Sequence, residues 1–275
     1  MNPLPSLLER EGGGTPSVVI AVPTLGQRIL SLEKTLASIR GQSDVDVSIA
    51  LITPKPTPHL EELAHRFKAR LLLDSGHISA AVNRALLDPE IPGRYCGWLG
   101  DDDFLLPGAL GSSIALLERH PDATVAFGAC DYVDSAGDRL FTKVPPPLAP
   151  WLLQVVPGLI KQEASLFRRE AFIAIGGLDP ALRWAMDLDL LLRLHRKGHF
   201  VRNPQVAAAF CWHPGSLTVA NRETSLKEAM AIQRRRASPL LRPILPVLQS
   251  FMKLLIQFVA ARIDRHRSVR SGGKG

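Results

Sequence analysis

Apolar runs and helical periodicities alternate along the first half of the chain. Val18 to Val22 is a continuous apolar run closed by Pro23-Thr24, the pattern of a central strand buried on both faces. Ile29, Leu32, Leu36 and Ile39 then recur at helical spacing. Val45 to Ile52 reads as a second strand and about His59 to Lys68 as a helix, followed by a short strand over Arg70 to Leu73. A small-residue helix runs from about Ser79 to Leu86, and Tyr95 to Leu99 is a further buried strand. The spacing predicts a helix over Gly108 to His120 and a strand over Thr124 to Cys130. Strand and helix in alternation predict an α/β fold: a Rossmann-like, mostly parallel sheet with helices on both faces.

The pattern loosens beyond Cys130. Asp134-Ser135-Ala136-Gly137 is a turn, and Pro145-Pro146-Pro147 is a stiff connector. Ala164 to Phe167 is short and apolar. Glu170 to Ile175 reads as a helix ended by Gly176-Gly177, and Asp187 to Lys197 as another. Two strands, near Phe200 to Arg202 and Val206 to Trp212, close the second half. These readings divide the chain into a lead-in over 1–16, one half over 17–130, a second half of the same domain over 131–221, and a tail over 222–275.

Charge changes the picture only in that tail. The formal net charge is +7, but residues 222–275 hold 12 of the 33 basic residues and 3 of the 26 acidic ones, so the body is close to neutral. Arg234, Arg235, Arg236 and Arg242 precede an amphipathic helix predicted between Ile244 and Ala261, and Arg262, Arg265, Arg267 and Arg270 follow it. A wide apolar face between cations fits a helix lying on an anionic membrane surface through residues 234–270, and Lys253 in its middle argues against a full span. The other reading is a terminal helix packed on the domain. Aromatic residues do not interleave with the arginines, which argues against specific nucleic-acid binding. Cys96, Cys130 and Cys211 lie far apart in apolar surroundings and read as small buried thiols. With no secretory apolar segment at the N-terminus, the expected location is cytoplasmic, at the inner face of the membrane.

The candidate chemistry lies between the strand at Tyr95 and Pro107. Asp101, Asp102 and Asp103 are consecutive carboxylates at a predicted strand end, where ligands bind in open α/β sheets. Three adjacent carboxylates require a cation, hydrogen-bond donors or open water, and an all-oxygen donor set suits Mg²⁺ or Mn²⁺. An acidic turn capping the helix that begins near Pro107 is the other reading of the same residues. Asp187 and Asp189, two apart at a helix start, do not share a face, so one can point into a cleft while the other caps the helix or pairs with Arg193. Both can equally be simple helix-start acids.

Taken in order, three stretches resemble the nucleotide-sugar half of a family 2 glycosyltransferase: Val18-Val19-Ile20-Ala21-Val22-Pro23-Thr24, Ser79-Ala80-Ala81-Val82-Asn83, and Trp98-Leu99-Gly100-Asp101-Asp102-Asp103-Phe104-Leu105-Leu106-Pro107-Gly108. Gly176-Gly177-Leu178-Asp179, Met186-Asp187-Leu188-Asp189-Leu190-Leu191-Leu192-Arg193 and His213-Pro214-Gly215-Ser216-Leu217-Thr218 resemble its acceptor half. The resemblance covers about residues 17–220. It implies a GT-A fold and an inverting, metal-assisted transfer of a hexosyl or deoxyhexosyl unit. The donor would be a nucleoside-diphosphate sugar and the acceptor a hydroxyl of a lipid-linked or polysaccharide glycan, in surface polysaccharide biosynthesis.

The same resemblance makes the triplet a DxD-type site, with Asp103, Asp101 and His213 on the metal and Asp187 as general base. Pro23, Thr24, Leu25, Thr53, Asp74, Asn83, Asp101 and Asp102 become the nucleotide-sugar contacts. His213 can also be a satisfied histidine at a strand end. The chain departs from the family at three contacts to the nucleotide: the second strand ends Leu51-Ile52-Thr53-Pro54 without an acid, Val82 precedes Asn83 where an arginine is common, and Cys211 stands in place of another arginine. Those departures leave a second reading, a catalytically weak nucleotide- or glycan-binding protein that keeps the fold.

Overall fold

Val18, Ile20 and Val22 of strand β1 (Ser17–Pro23) pack on one side of the sheet, while Val19 and Ala21 pack on the other. Helices cover both faces, so the run is apolar at every position and not at alternate ones. The structure, a computed structural model, describes residues 17–43, 45–74, 76–212 and 222–250. One face carries α1 (Ile29–Arg40), α2 (Pro58–Arg66) and α4 (Ala109–Arg119) through residues such as Leu36, Leu60 and Ile114. The other carries α3 (Ile78–Leu86), α6 (Arg169–Ala174), α7 (Met186–Leu194) and α8 (Arg222–Arg236) through Val82, Phe172, Leu190 and Ile232. Each fully buried Leu or Ile contributes about 1.5–3 kcal/mol.

Among the described residues nine strands form one sheet in the order β3-β2-β1-β4-β8-β6-β9-β5, with β7 beside β6. β2 (Asp46–Thr53), β1, β3 (Arg70–Leu73) and β4 (Tyr95–Trp98) are parallel neighbours, as are β6 (Ala123–Val133) and β9 (His199–Cys211). The expected mostly parallel α/β sheet is therefore present. Between β4 and β6 runs β8 (Ser165–Arg168), antiparallel to both. From β1 the chain builds outward to β2 and β3 on one side and returns to place β4 on the other. The crevice at their carboxyl ends is thus a topological switch point, where open α/β sheets bind ligands.

Several expectations need correction. The acidic triplet does not run straight into a helix: β5 (Phe104–Leu105) intervenes and pairs antiparallel with Ala208–Ala209 of β9. Two residues are too few to show an alternation. The two strands expected near Phe200 and Val206 are one 13-residue strand whose register against β6 shifts around Ala129. Residues 139–143, which lie between the expected turn and connector and for which the pattern predicts no element, form β7 against the C-terminal part of β6. The helix expected over 187–197 ends at Leu194. Cys96 and Cys130 are buried as expected, whereas Cys211 is only half-buried.

Two polar groups, Arg169 buried and Asn83 half-buried, fix the loops under the site. The Arg169 guanidinium donates to the carbonyls of Leu86, Asp88 and Ile91 and so closes the α3-to-β4 connection. Asn83 donates from Nδ2 to the Leu178 carbonyl and accepts the Leu178 N–H on Oδ1, both at 2.8 Å.

Candidate active site

The loop after β1 and the loop after β4 are tied together by side chains at their tips. Thr24 donates from Oγ1 to Asp101 Oδ2 at 2.7 Å, its N–H holds the Ile52 carbonyl of β2 at 2.8 Å, and the Gly26 N–H returns to Thr24 Oγ1 at 3.0 Å. Arg28 approaches Asp101 Oδ1 at 3.0 Å and also pairs with Asp102. Both oxygens of Asp101 are therefore engaged within the protein. Burial pushes its carboxyl above the ordinary range, with the Thr24 hydrogen bond and Arg28 working the other way.

Asp103 is 4% exposed. Its carbonyl accepts the Thr35 hydroxyl at 2.7 Å, and Oδ1 accepts the Cys211 N–H from the end of β9 at 3.0 Å. Burial, then Glu163 and Asp102, push the Asp103 carboxyl well above the usual range, against the Cys211 N–H and Lys161. A Cβ on Gly100 would stand 2.8 Å from Asp103 Oδ2 and 3.1 Å from Asp102 Oδ1. Glycine here leaves both carboxylate oxygens undisturbed beside its backbone. Neighbouring carboxylates are the donor type that a hard divalent cation takes, with water or phosphate oxygens in its remaining positions. Among the described residues no three His, Cys, Asp or Glu side chains form a metal cluster, and His213 lies outside the described residues.

Opposite the triplet the wall of the crevice is built by the turn Gln162–Ala164, which leads into β8, and by the first turn of α7. The crevice encloses about 560 Å³ and brings Asp101, Asp102 and Asp103 together with Lys161, Glu163 and Asp187. Lys161 Nζ sits 3.2 Å from Glu163 Oε1 and 3.9 Å from the centre of the Phe210 ring. Burial alone would lower this ammonium, but Glu163, with Tyr132, Cys130 and Asp187, outweighs it and holds Lys161 above its ordinary value. Burial raises the Asp187 carboxyl, Lys161 opposes that shift, and Glu163 adds to it. Glu163 Oε2 and Gln162 Oε1 are buried without a hydrogen-bond partner, a state that costs about 1–3 kcal/mol per group.

Pro23, Thr24, Leu25, Asp74, Asp101, Asp102, Asp103 and Asp187, named as site residues from the sequence, all line this crevice. Thr53 and Asn83 do not. Thr53 is buried, with its hydroxyl turned to the backbone of Lys55, and both ends of the Asn83 amide are spent on Leu178. Asp189 points away from the crevice: fully buried, it pairs with Arg193 at 2.7 Å and with Arg235 and Arg236 of α8 at 2.9 and 2.8 Å. Burial would raise it, but the hydrogen bonds from Arg236 and Arg193 hold its carboxyl below the ordinary range. Sequence reasoning missed Arg28, Lys161, Gln162, Glu163, Arg183 and Trp184. For the middle group the only signal is three polar residues placed directly before an apolar strand.

No family model matches the chain. It is 28% identical over 187 residues to the O-antigen biosynthesis protein RfbC of Myxococcus xanthus, a match that takes in 65% of this chain and 14% of that protein. The chain spans a quarter or less of the length of the first curated relatives it matches. In structure it is similar to S. aureus TarS in complex with UDP-GlcNAc, with a TM-score of 0.61 at 12% identity, over 85% of this chain and 70% of that one. It is also similar to the mannosyltransferase PcManGT from Pyrobaculum calidifontis in complex with GDP-Man and Mn²⁺, with a TM-score of 0.59 at 18% identity, over 85% and 69%. At these identities the likeness is one of fold: the chain shares the α/β architecture of two proteins solved with nucleotide sugars, one of them a mannosyltransferase.

Proposed function

We propose that the protein is an inverting glycosyltransferase that moves a sugar from a nucleoside-diphosphate donor to a hydroxyl of a glycan or lipid-linked acceptor in surface polysaccharide biosynthesis. The observation that carries this reading is the meeting of Asp103 and Asp187, from separate halves of the chain, in one crevice at the carboxyl ends of the sheet. The fold shared with proteins solved with UDP-GlcNAc and GDP-Man, and the similarity to an O-antigen biosynthesis protein, support it.

The strand order supports an assignment of roles within this reading. Ile52, Pro54 and Asp74, at the ends of β2 and β3, form the nucleoside end, and Lys161, Glu163 and Asp187, beside β8 and α7, form the sugar end. Between them Asp103 and Asp102 would hold Mg²⁺ or Mn²⁺, with His213 completing the set as the family resemblance implies. Asp101, engaged by Thr24 and Arg28, braces the two loops. A bound divalent cation stabilises the negative charge that develops on the departing diphosphate. Asp187 accepts the proton of the attacking hydroxyl on the opposite side of the sugar, and Lys161 keeps that carboxylate closer to ionised than burial alone would allow. A transfer assay with Mn²⁺ and a panel of UDP-, GDP- and dTDP-hexoses tests the reading. Asp103→Ala and Asp187→Asn should each abolish turnover, and normal turnover in both would overturn it.

The membrane reading belongs to the same proposal and places the protein at the cytoplasmic face. Leu240, Ile244 and Val247 are 87%, 50% and 72% exposed, whereas Gln249 is buried and hydrogen-bonded to Met230 and Gln233 of α8. Apolar side chains thus face outward beside Arg242. No helix among the described residues is long and apolar enough to cross a membrane. Co-sedimentation with anionic but not neutral vesicles, weakened by Ile244→Glu with Val247→Glu, is the expected result; equal binding to both kinds of vesicle would overturn it.

A further inference from the structure

Glu163 is built in a way the proposed proton transfer does not use. Its Oε1 is clamped by the Lys161 ammonium at 3.2 Å, which fixes the carboxylate plane. Oε2 has no partner in the fold, and Gln162 Oε1 beside it is in the same state. The two residues are 7% and 9% exposed, and both line the crevice, where Glu163 raises the carboxyls of Asp103 and Asp187 alike. A carboxylate oxygen can only accept, so what satisfies it must bring a donor. A second cation is disfavoured because the Lys161 ammonium already sits on the same carboxylate. A neutral hydroxyl meets no such repulsion.

We infer that Glu163, with Gln162 beside it, reads hydroxyl groups of the transferred sugar, so that the site selects a sugar that carries the hydroxyl Glu163 accepts and rejects the analogue lacking it. The inference rests on the donor reading above and adds a specificity to it. The logic is asymmetric: a pocket built to hydrogen-bond a hydroxyl strongly rejects a substrate without one, because the buried acceptor is then left unpaired. It also decides between the two sugar classes implied by the family resemblance, hexosyl over deoxyhexosyl at that position.

Calorimetry on the full chain with Mn²⁺ tests this. UDP-glucose, UDP-N-acetylglucosamine, GDP-mannose and dTDP-glucose are titrated first, and the tightest binder is then compared with its monodeoxy analogues and with its free nucleoside diphosphate. In the wild type at least one monodeoxy form should bind about 10- to 100-fold more weakly than the parent. In Glu163→Ala that ratio should fall to within about threefold, with the nucleoside diphosphate still bound. A circular dichroism spectrum like that of the wild type shows that the fold is intact; Glu163→Gln and Gln162→Ala serve if Glu163→Ala does not fold. Parent and all monodeoxy forms binding the wild type equally, or a ratio that survives in the variants, overturns the hydroxyl reading and leaves the donor reading standing. A wild type that binds none of the four nucleotide sugars overturns both.

Discussion

The Glu228 carboxylate of α8 accepts the Ala185 N–H at 2.8 Å, and with it the N–H groups of Trp184 at 2.9 Å and Arg183 at 3.3 Å. The Ala185 N–H is one of the donors that the start of α7 leaves open, those of Trp184 and Arg183 belong to the turn just before it, and Ala185, at the cap position, has no side chain to cap the helix itself. A carboxylate placed there is also favoured by the helix dipole. Arg183, Trp184 and Asp187 all line the crevice, so a helix 40 residues further along the chain holds that wall in place. Glu228→Ala should destabilise the protein by about 1–2 kcal/mol, the usual cost of a lost cap. Thermal unfolding should show a fall of roughly 2–4 °C per kcal/mol, and turnover should drop while nucleoside diphosphate affinity is kept. An unchanged melting temperature would show that the cap contributes nothing.

Asp187→Asn keeps the shape of the site and removes the proton acceptor. Turnover should fall by about 10²- to 10⁴-fold, with donor binding retained. The pH dependence follows from the cause of the Asp187 shift. Burial raises the carboxyl above its ordinary value of about 3.9, so the ionised base is lost, and kcat/KM declines, at a higher pH than for an exposed aspartate. Lys161 opposes that shift. Lys161→Met should therefore move the acidic limb of the profile to still higher pH, whereas a limb that stays in place would show that Lys161 does not act on Asp187.

Asp103 carries a stability penalty that its proposed role explains. Its carboxyl is raised in the folded state by burial, Glu163 and Asp102, so the protonated form is the one the fold favours. The stabilisation from that preference is present at low pH and is lost as pH rises through the folded value. Above the folded value the native carboxylate is then a net cost. Asp103→Asn keeps an oxygen for the Cys211 N–H and should melt higher than the wild type in the absence of metal, by a few degrees or about 1 kcal/mol. Added Mn²⁺ should raise the melting temperature of the wild type only, by mass action on the native state. A variant that melts no higher, or that responds equally to Mn²⁺, would remove Asp103 from this role.

The direction of a strand decides which site residues are legible in the sequence. Thr24, Asp74 and Asp101–Asp103 follow parallel strands, and in such sheets ligands gather at the carboxyl ends, so their position alone marks them. β8 runs antiparallel to β4, with Tyr95 opposite Arg168 and Cys96 opposite Phe167. What reaches the crevice there is the residue before the strand, and Lys161, Gln162 and Glu163 escape a reading that looks beyond strand ends. A short run, Ala164 to Phe167, does not reveal its own direction. Asp187 and Asp189 are legible as two acids on different faces, but the partners of Asp189 in α8 are not, because contacts across 46 residues leave no local period. The pairing of Asp189 with Arg193 is legible, being one helical turn apart.

Asn83 is where family resemblance and geometry make opposite predictions. The resemblance implies a contact to the nucleotide, yet the amide closes a two-way hydrogen bond on Leu178, 95 residues away. Gly177, just before it, has φ +69°, and a Cβ there would lie 2.4 Å from Asn83 Oδ1. Arg193 completes the hold, donating to the Ile175 and Gly177 carbonyls at 2.8 and 2.6 Å. The clamp fastens α3, whose first turn lines the crevice, to the turn that leads toward α7. Asn83→Ala leaves the Leu178 N–H and carbonyl without partners and should cost about 1–3 kcal/mol. Asn83→Asp keeps the acceptor for the Leu178 N–H but turns a carboxylate oxygen against the Leu178 carbonyl, so it should cost at least as much. If the clamp is the whole role of this residue, both variants melt lower and bind nucleoside diphosphate as tightly as the wild type does when measured below the melting transition. Weakened binding at an unchanged melting temperature would instead return Asn83 to the nucleotide site.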